Sequence, residues 1–105
     1  MIQVVAIVTA KPGQRASILD AFHANVPAVM QEPGVIQYVA VIDCEDGLSF
    51  QTNWGSDTFA VIEQWEDIAA LRAHAATPHM AAYGAKVKEL IATRTVHVLT
   101  PLASI

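Results

Sequence analysis

The chain has 105 residues, of which 53% are hydrophobic and 15% are charged, and its formal net charge at pH 7 is −4. The length fits one domain over residues 1–105, and an acidic chain with six Lys and Arg residues argues against nucleic acid as a partner. No apolar run approaches the roughly 20 residues that span a bilayer, so no membrane insertion is expected. The start of the chain lacks a signal-peptide profile and Cys44 is the only cysteine, which together favour the cytoplasm.

The N-terminal part of the chain predicts a strand, a helix and a second strand. Residues 2–9 are a continuous apolar run, typical of a strand that is covered on both faces. Apolar side chains recur at helical spacing over residues 14–31, although Pro27 should kink or interrupt this helix. Residues 35–42 then predict the second strand, which is again apolar on both faces.

Two further strands are predicted in the middle of the chain. Residues 48–54 alternate apolar and polar side chains, which predicts a short, half-exposed strand. Residues 58–66 are rich in β-branched and aromatic side chains and predict a longer strand. Because side chains alternate along a strand, Glu63 and Trp65 share one face of it.

Two helices and a strand complete the chain. Asp67 occupies an N-cap position before a predicted helix over residues 67–75. Thr77, which is followed by proline, begins a second helix that is predicted to end near residue 91. Residues 95–100 predict the last strand, and a short tail follows.

The order of these elements predicts the fold class. Strand, helix, strand, short strand, strand, helix, strand is the split βαβ pattern of a ferredoxin-like α+β domain with one added strand. The helices of such a domain cover only one face of the sheet, yet the strands here are apolar on both faces. Leaving the second face in water would expose an apolar patch above the roughly 300–600 Å² typical of monomers. We therefore expect a homodimer in which two sheets pack face to face.

The candidate chemical groups lie close together in sequence. His74 ends one predicted helix and His79 begins the next, so the bend between them would bring both near the end of the strand that carries Trp65. Histidine is the side chain best suited to act as a base near neutral pH. Each group also has a structural explanation: Trp65 as a core residue, His74 as a helix-end cation, His79 as an exposed residue and Glu63 as an ion-pair partner. The two histidines lack the i, i+4 spacing of a helical zinc site, so no metal is expected.

Two motifs carry a resemblance to a known family. The first is the strand end Glu63-Gln-Trp-Glu66, followed downstream by Ala73-His74 and Thr77-Pro-His-Met80. The second is Asp43-Cys44 followed by Gly47-Leu-Ser-Phe-Gln51. On these motifs the chain resembles the antibiotic-biosynthesis-monooxygenase superfamily over nearly its whole length, and within it the small bacterial quinol monooxygenases.

The resemblance implies a dimeric α/β barrel with a pocket between the helices and the sheet of each subunit. It also implies oxygenation of aromatic hydroquinones by O2 without flavin, haem or metal, so no cofactor is expected. Haem is disfavoured because the position of the iron-binding helix histidine of the haem-degrading branch falls near Gly84 here.

The chemistry of a quinol sets three requirements for such a site. A hydroquinone has a pKa comparable to the tyrosine reference of about 10, and its anion reduces O2 far more readily than the neutral form. The enzyme therefore needs a base, a dry apolar slot and a surface that orients the ring. We predict a cofactor-independent monooxygenase that oxidises quinols or related phenolic aromatics with O2, with His79 or His74 as the base. The predicted substrate-binding residues are Trp65, Tyr38, Phe50, Tyr83, Met80 and Glu63.

Two other functions are compatible with the same pocket, because this architecture hosts many activities. One is a non-catalytic dimer that binds a quinone or another aromatic ligand without turnover. The other is an isomerase or dehydratase on the same barrel, which would act under strictly anaerobic conditions.

Overall fold

The computed structural model describes residues 1–102 and contains four strands and three helices. The elements are β1 (Ile2–Ala10), α1 (Arg15–Val29), β2 (Val35–Val41), β3 (Thr58–Trp65), α2 (Ile68–Ala75), α3 (Pro78–Val87) and β4 (Ile91–Leu99). All strand pairs are antiparallel and the order across the sheet is β2-β3-β1-β4. This is the ferredoxin-like α+β fold that the element order predicts. Within the described residues, no helix is long and apolar enough to cross a membrane.

The added strand predicted over residues 48–54 is wrong, because residues 42–57 form an irregular loop. Side chains hold this loop in shape. The carboxylate of Asp43 accepts hydrogen bonds of 3.0 and 2.9 Å from two backbone N–H groups at the far end of the loop. Gln51 Oε1 accepts a third, of 2.8 Å, from a backbone N–H within it. Polar side chains therefore bind backbone N–H groups that a strand would have paired with a neighbouring strand. The alternation of apolar and polar residues does not reveal these hydrogen bonds.

Two other boundaries differ from the prediction. Helix α1 continues through Pro27, which does not interrupt it, because only two helical residues follow and only one backbone donor is lost. Strand β4 begins at Ile91 rather than residue 95. Its first residue pairs with Ala10 of β1, and the backbone N–H of Lys11 donates to the carbonyl of Leu90 at 2.8 Å. Pairing with β1 thus extends β4 to residues for which local β-propensity does not predict a strand.

The helices cover one face of the sheet and form the core with it. Alternation places Val4, Ala6 and Val8 of β1 on this face, together with Phe59, Val61, Glu63 and Trp65 of β3. These β3 residues are all buried, as the sequence pattern predicts. The buried helix residues packed on the face include Ile18, Ala21 and Phe22 of α1 and Val87 of α3.

The opposite face of the sheet carries apolar side chains without a covering helix. Register places Val5 and Ile7 of β1 on this face, beside Ile62 of β3 and Val39 of β2. Val39 is 40% exposed. We refer to this surface, on which these four apolar residues lie, as the open face.

Candidate active site

A cavity of about 530 Å³ lies between the helices and the sheet. Most of its wall is apolar, and five elements each contribute one polar residue. These are Tyr38 from β2, Glu63 from β3, His74 from α2, Tyr83 from α3 and Arg94 from β4. Small-molecule sites are typically clefts of roughly 300–1,000 Å³ with apolar walls and few polar groups. The cavity has the size and the lining of such a site.

Glu63 places a buried carboxyl in the cavity wall. Its residue is 7% exposed, and the indole Nε1 of Trp65 donates a hydrogen bond of 2.9 Å to Oε1. Burial raises the pKa of Glu63, whereas the hydrogen bond from Trp65 and the charges of His74 and Arg94 oppose the rise. Trp65 itself is fully buried and does not line the cavity, so it acts there through the groups it touches.

His74 is held between two aromatic rings at the end of α2. Its ring centroid lies 4.6 Å from that of Trp65 and 5.5 Å from that of Tyr38. Asp67 caps α2 by accepting a hydrogen bond of 2.8 Å from the N–H of Ala70, which fixes the start of the helix. The buried His74 ring in the last turn consequently faces the sheet and lines the cavity.

Glu32 joins the two histidines, although the sequence pattern does not predict this role. Its Oε2 lies 3.0 Å from Nδ1 of His74 and 2.7 Å from Nε2 of His79. The Glu32 side chain is 9% exposed. In sequence it belongs to a Glu-Pro-Gly turn that indicates only the end of α1. No local signal reports its partners, which lie 42 and 47 residues further along the chain.

The predicted convergence of the histidines is present. Thr77 caps α3, since its Oγ1 accepts a hydrogen bond from the N–H of Met80 and donates one of 2.9 Å to the carbonyl of His74. The two histidines nevertheless face different surroundings. His79 does not line the cavity but borders a shallow depression between α1 and α3, and its side chain is 29% exposed.

Two tyrosines supply flat surface and hydroxyl donors inside the cavity. Tyr38 stacks on Phe22 at 5.1 Å between centroids, and its hydroxyl donates to Sδ of Met80 at 3.9 Å. Burial, with the carboxylate of Glu63, raises the pKa of Tyr38. Burial also raises the pKa of Tyr83, against the opposing charge of Arg94. Both phenols therefore stay protonated near neutral pH and act as donors rather than bases.

The predicted site residues divide into two groups. Those that line the cavity are His74, Tyr38, Tyr83, Met80 and Glu63. Those outside its wall are Trp65, His79 and Phe50. Phe50 is 82% exposed in the loop 42–57. Arg94 was missed because the last strand was predicted to begin one residue after it.

The histidine and carboxylate side chains of the described residues form no metal centre. Within residues 1–102, no group of three or more His, Cys, Asp or Glu side chains could hold a metal ion. The chemistry that the arrangement itself offers is acid–base chemistry and hydrogen bonding beside an apolar slot.

Four antiparallel strands in this order, with helices on one face and a cavity between the layers, define a ferredoxin-like domain with a small-molecule site. The sequence model of the family described as antibiotic biosynthesis monooxygenase matches residues 1–86. The chain belongs to the antibiotic biosynthesis monooxygenase family, and on this membership it is a monooxygenase.

One relative supports this assignment by its name, and two solved structures share the fold. The Escherichia coli K12 protein named "Probable quinol monooxygenase YgiN" is 42% identical over 103 residues, which cover 96% of this chain and 98% of the relative. The crystal structure of PA3566 from Pseudomonas aeruginosa matches with a TM-score of 0.80 and 29% identity, over 97% of this chain and 94% of that one. Rv0793 from Mycobacterium tuberculosis shares the fold, with a TM-score of 0.80 at 23% identity over 98% of this chain and 96% of that one.

Proposed function

We propose that this monooxygenase oxidises quinols or related phenolic aromatics with O2, without a cofactor, and that His74 is the base. The observation that carries the proposal is the cavity of about 530 Å³, whose mostly apolar wall contains one imidazole. The quinol named for the Escherichia coli relative, which aligns over 96% of this chain, supports the substrate class.

The free ring nitrogen of His74 supports its choice over His79. Its Nδ1 contacts Glu32, while Nε2 takes part in no hydrogen bond among residues 1–102. No buried side-chain nitrogen or oxygen in that part of the chain lacks a partner, so Nε2 retains accessible surface. Because His74 lines the cavity, this surface faces the space that a substrate would occupy. His79 has no such access.

The reaction begins with proton transfer and continues by electron transfer. Nε2 of His74 takes the proton of a quinol hydroxyl, and the resulting anion gives one electron to O2. Semiquinone and superoxide then combine at a ring carbon that carries hydrogen, and the imidazolium of His74 returns its proton to the peroxide so formed. Loss of water from this hydroperoxide leaves a hydroxyquinone and the neutral base. One O2 is consumed, one oxygen atom enters the ring and the other leaves as water. The apolar wall excludes solvent from the radical pair.

The remaining polar groups orient and stabilise the substrate. The stacked pair Phe22 and Tyr38, with the edge of Tyr83 packed against Phe22, supports a flat aromatic ring. Arg94 contributes a positive charge from β4, which favours the quinol anion over the neutral quinol.

We also infer that the protein is a homodimer formed through the open face. Val5, Ile7 and Ile62 form an apolar stripe there, and Val39 extends it to the sheet edge. A second copy of the same face is self-complementary about a two-fold axis and would remove the stripe from water. Mass determination by light scattering at micromolar concentration tests this inference, and a monomer would refute it.

The activity test uses chelator-treated protein and menadiol, with O2 uptake corrected for spontaneous oxidation. We expect saturable uptake and a hydroxynaphthoquinone that contains one atom from isotopically labelled O2. His74→Asn should abolish turnover, because its amide can still donate to Glu32 but cannot replace Nε2 as a base. His23→Ala, an exposed position on α1, is the matched control.

Three results would contradict the proposal. Binding of the quinone without O2 uptake above background would favour a ligand-binding protein. Turnover of a substrate under strictly anaerobic conditions would favour an isomerase or dehydratase. Full activity in folded His74→Asn would remove His74 as the base.

A further inference from the structure

We propose that Glu32 is a positioning residue that holds His74 with its proton on Nδ1, so that the lone pair of Nε2 faces the cavity. This inference rests on the proposed function, because it concerns the histidine assigned there as the base. It concerns a residue outside the cavity wall, since Glu32 does not line the cavity.

The contacts of the Glu32 carboxylate determine where the protons lie. Oε1 and Oε2 lie 3.1 and 3.0 Å from Nδ1 of His74, and Oε2 lies 2.7 Å from Nε2 of His79. An ionised carboxylate can only accept hydrogen bonds, so each of these imidazole nitrogens is a donor. A neutral imidazole carries one proton, so donation from Nδ1 leaves Nε2 of His74 as an acceptor.

This tautomer is the one that catalysis requires. An unrestrained imidazole exchanges between tautomers, and the form with its proton on Nε2 would present a donor to the cavity rather than a base. When Nε2 accepts a substrate proton, the imidazolium formed lies 3.0 Å from the carboxylate oxygen of Glu32. The carboxylate thus selects the basic form of His74 and stabilises its protonated form, the role that a carboxylate has beside a catalytic histidine.

His79 is the second hydrogen-bond donor that fixes the Glu32 carboxylate. Two donors from the ends of two different helices, α2 and α3, fix one carboxylate on the turn after α1. The backbone of that turn is itself bonded, since the N–H of Glu32 donates to the carbonyl of Val29 at 3.0 Å. The Glu32 carboxylate therefore links α1, α2 and α3 on the Nδ1 side of the His74 ring. The half-buried His79 has a function in this arrangement without contacting the substrate.

The first test reads the tautomer directly. Protein with nitrogen-labelled histidine is studied by two-bond proton–nitrogen correlation at a pH where the His74 ring is neutral, and His74→Asn identifies its signals. We expect wild-type His74 to carry its proton on Nδ1, and Glu32→Gln to populate the form with the proton on Nε2. Glu45→Gln, on the exposed loop, should leave the spectrum unchanged. A wild-type proton on Nε2, or the same tautomer in Glu32→Gln, would overturn the inference.

The second test measures the kinetic consequence. Because a general base contributes roughly 10²–10⁴-fold, we expect Glu32→Gln to lower kcat for menadiol about 10–100-fold while KM changes little. Glu32→Asp keeps the charge and should recover part of kcat. The wild-type spectrum decides the tautomer even if Glu32→Gln does not fold. The two tests can also disagree. If Glu32→Gln changes the tautomer but leaves kcat unchanged, Glu32 positions His74, but His74 is not the base.

Discussion

Replacing Trp65 by phenylalanine tests how the buried carboxyl of Glu63 is held. The indole Nε1 donates to Glu63 Oε1 at 2.9 Å, and phenylalanine keeps an aromatic ring but lacks this donor. Burial raises the pKa of Glu63, and the bond from Trp65 is the largest effect that lowers it. Without the bond, the ionised carboxylate is left buried without its indole donor and its pKa rises further.

The expected loss of stability depends on pH. A hydrogen bond to a charged group contributes about 1.5–3 kcal/mol, and the smaller ring adds a packing loss of about 1–2 kcal/mol. Trp65→Phe should therefore lower the free energy of unfolding by about 2.5–5 kcal/mol at pH values above the raised pKa of Glu63, where the carboxyl is ionised. At pH values below that pKa the protonated carboxyl loses a weaker, neutral hydrogen bond, so a loss of about 2–3 kcal/mol is expected.

The sign of this dependence follows from proton linkage. Because the folded state binds the Glu63 proton more tightly than the unfolded state, the stability contributed by Glu63 falls as pH rises from the ordinary pKa of 4.5 through the raised folded value. The variant enlarges that fall. Urea unfolding followed by circular dichroism at pH 5 and pH 8 measures it, with the exposed Trp54→Phe as control, expected to change stability by less than about 0.5 kcal/mol. Equal destabilisation at both pH values would refute the reasoning.

Four further substitutions test other parts of the structure. Gly34→Ala should cost about 2–4 kcal/mol in urea unfolding, because Gly34 has φ +87° and its Cβ would lie 2.6 Å from that of Ala70. Gly55→Ala, with φ +101° and open space, should cost only about 1–2 kcal/mol, and an equal cost would contradict the steric argument. Val39→Lys should yield a monomer in light scattering, whereas an intact dimer would place the interface elsewhere. Arg94→Gln should lower kcat with menadiol by about 10-fold through weaker stabilisation of the anion, and an unchanged kcat would exclude that role.

The parts of the site that depend on local pattern could be predicted from the sequence. Alternation along β3 is enough to place Glu63 and Trp65 on the buried face. The capping residues Asp67 and Thr77 define the break between two helices, and that break brings His74 and His79 to the same carboxylate. Each of these inferences uses residues that are neighbours along the chain.

The parts that failed depend on contacts between distant segments or on side chains that replace backbone partners. Glu32 resembles any residue in a Pro-Gly turn until the fold brings α2 and α3 against it. Arg94 lies in a strand whose first residues are set by pairing with β1 rather than by propensity. Residues 48–54 alternate like a strand, but Asp43 and Gln51 accept hydrogen bonds from backbone donors within the loop 42–57. Hydrophobic periodicity and β-propensity carry no information about these contacts.

The proposed dimer and the proposed reaction make a joint prediction. Val96 and Val98 of the edge strand β4 line the cavity and yet are exposed, so the cavity is open on that side. If two sheets close into a barrel, the β2 edge of a second copy, with the loop 42–57 that follows it, lies beside this β4 edge. Dimerisation would then exclude water from the cavity as well as from the open face.

Monomeric Val39→Lys should therefore lose kcat as well as its partner, although Val39 lies on the opposite face of the sheet from the cavity. Its activity per subunit should rise with protein concentration as dimers reform, whereas that of the wild type should not. Asp20→Lys also introduces a lysine, with a charge change of +2 rather than +1, on the exposed surface of α1 and should behave as wild type. A stable monomer with full activity per subunit would show that one copy encloses the reaction alone. Dimerisation would then not be required for catalysis.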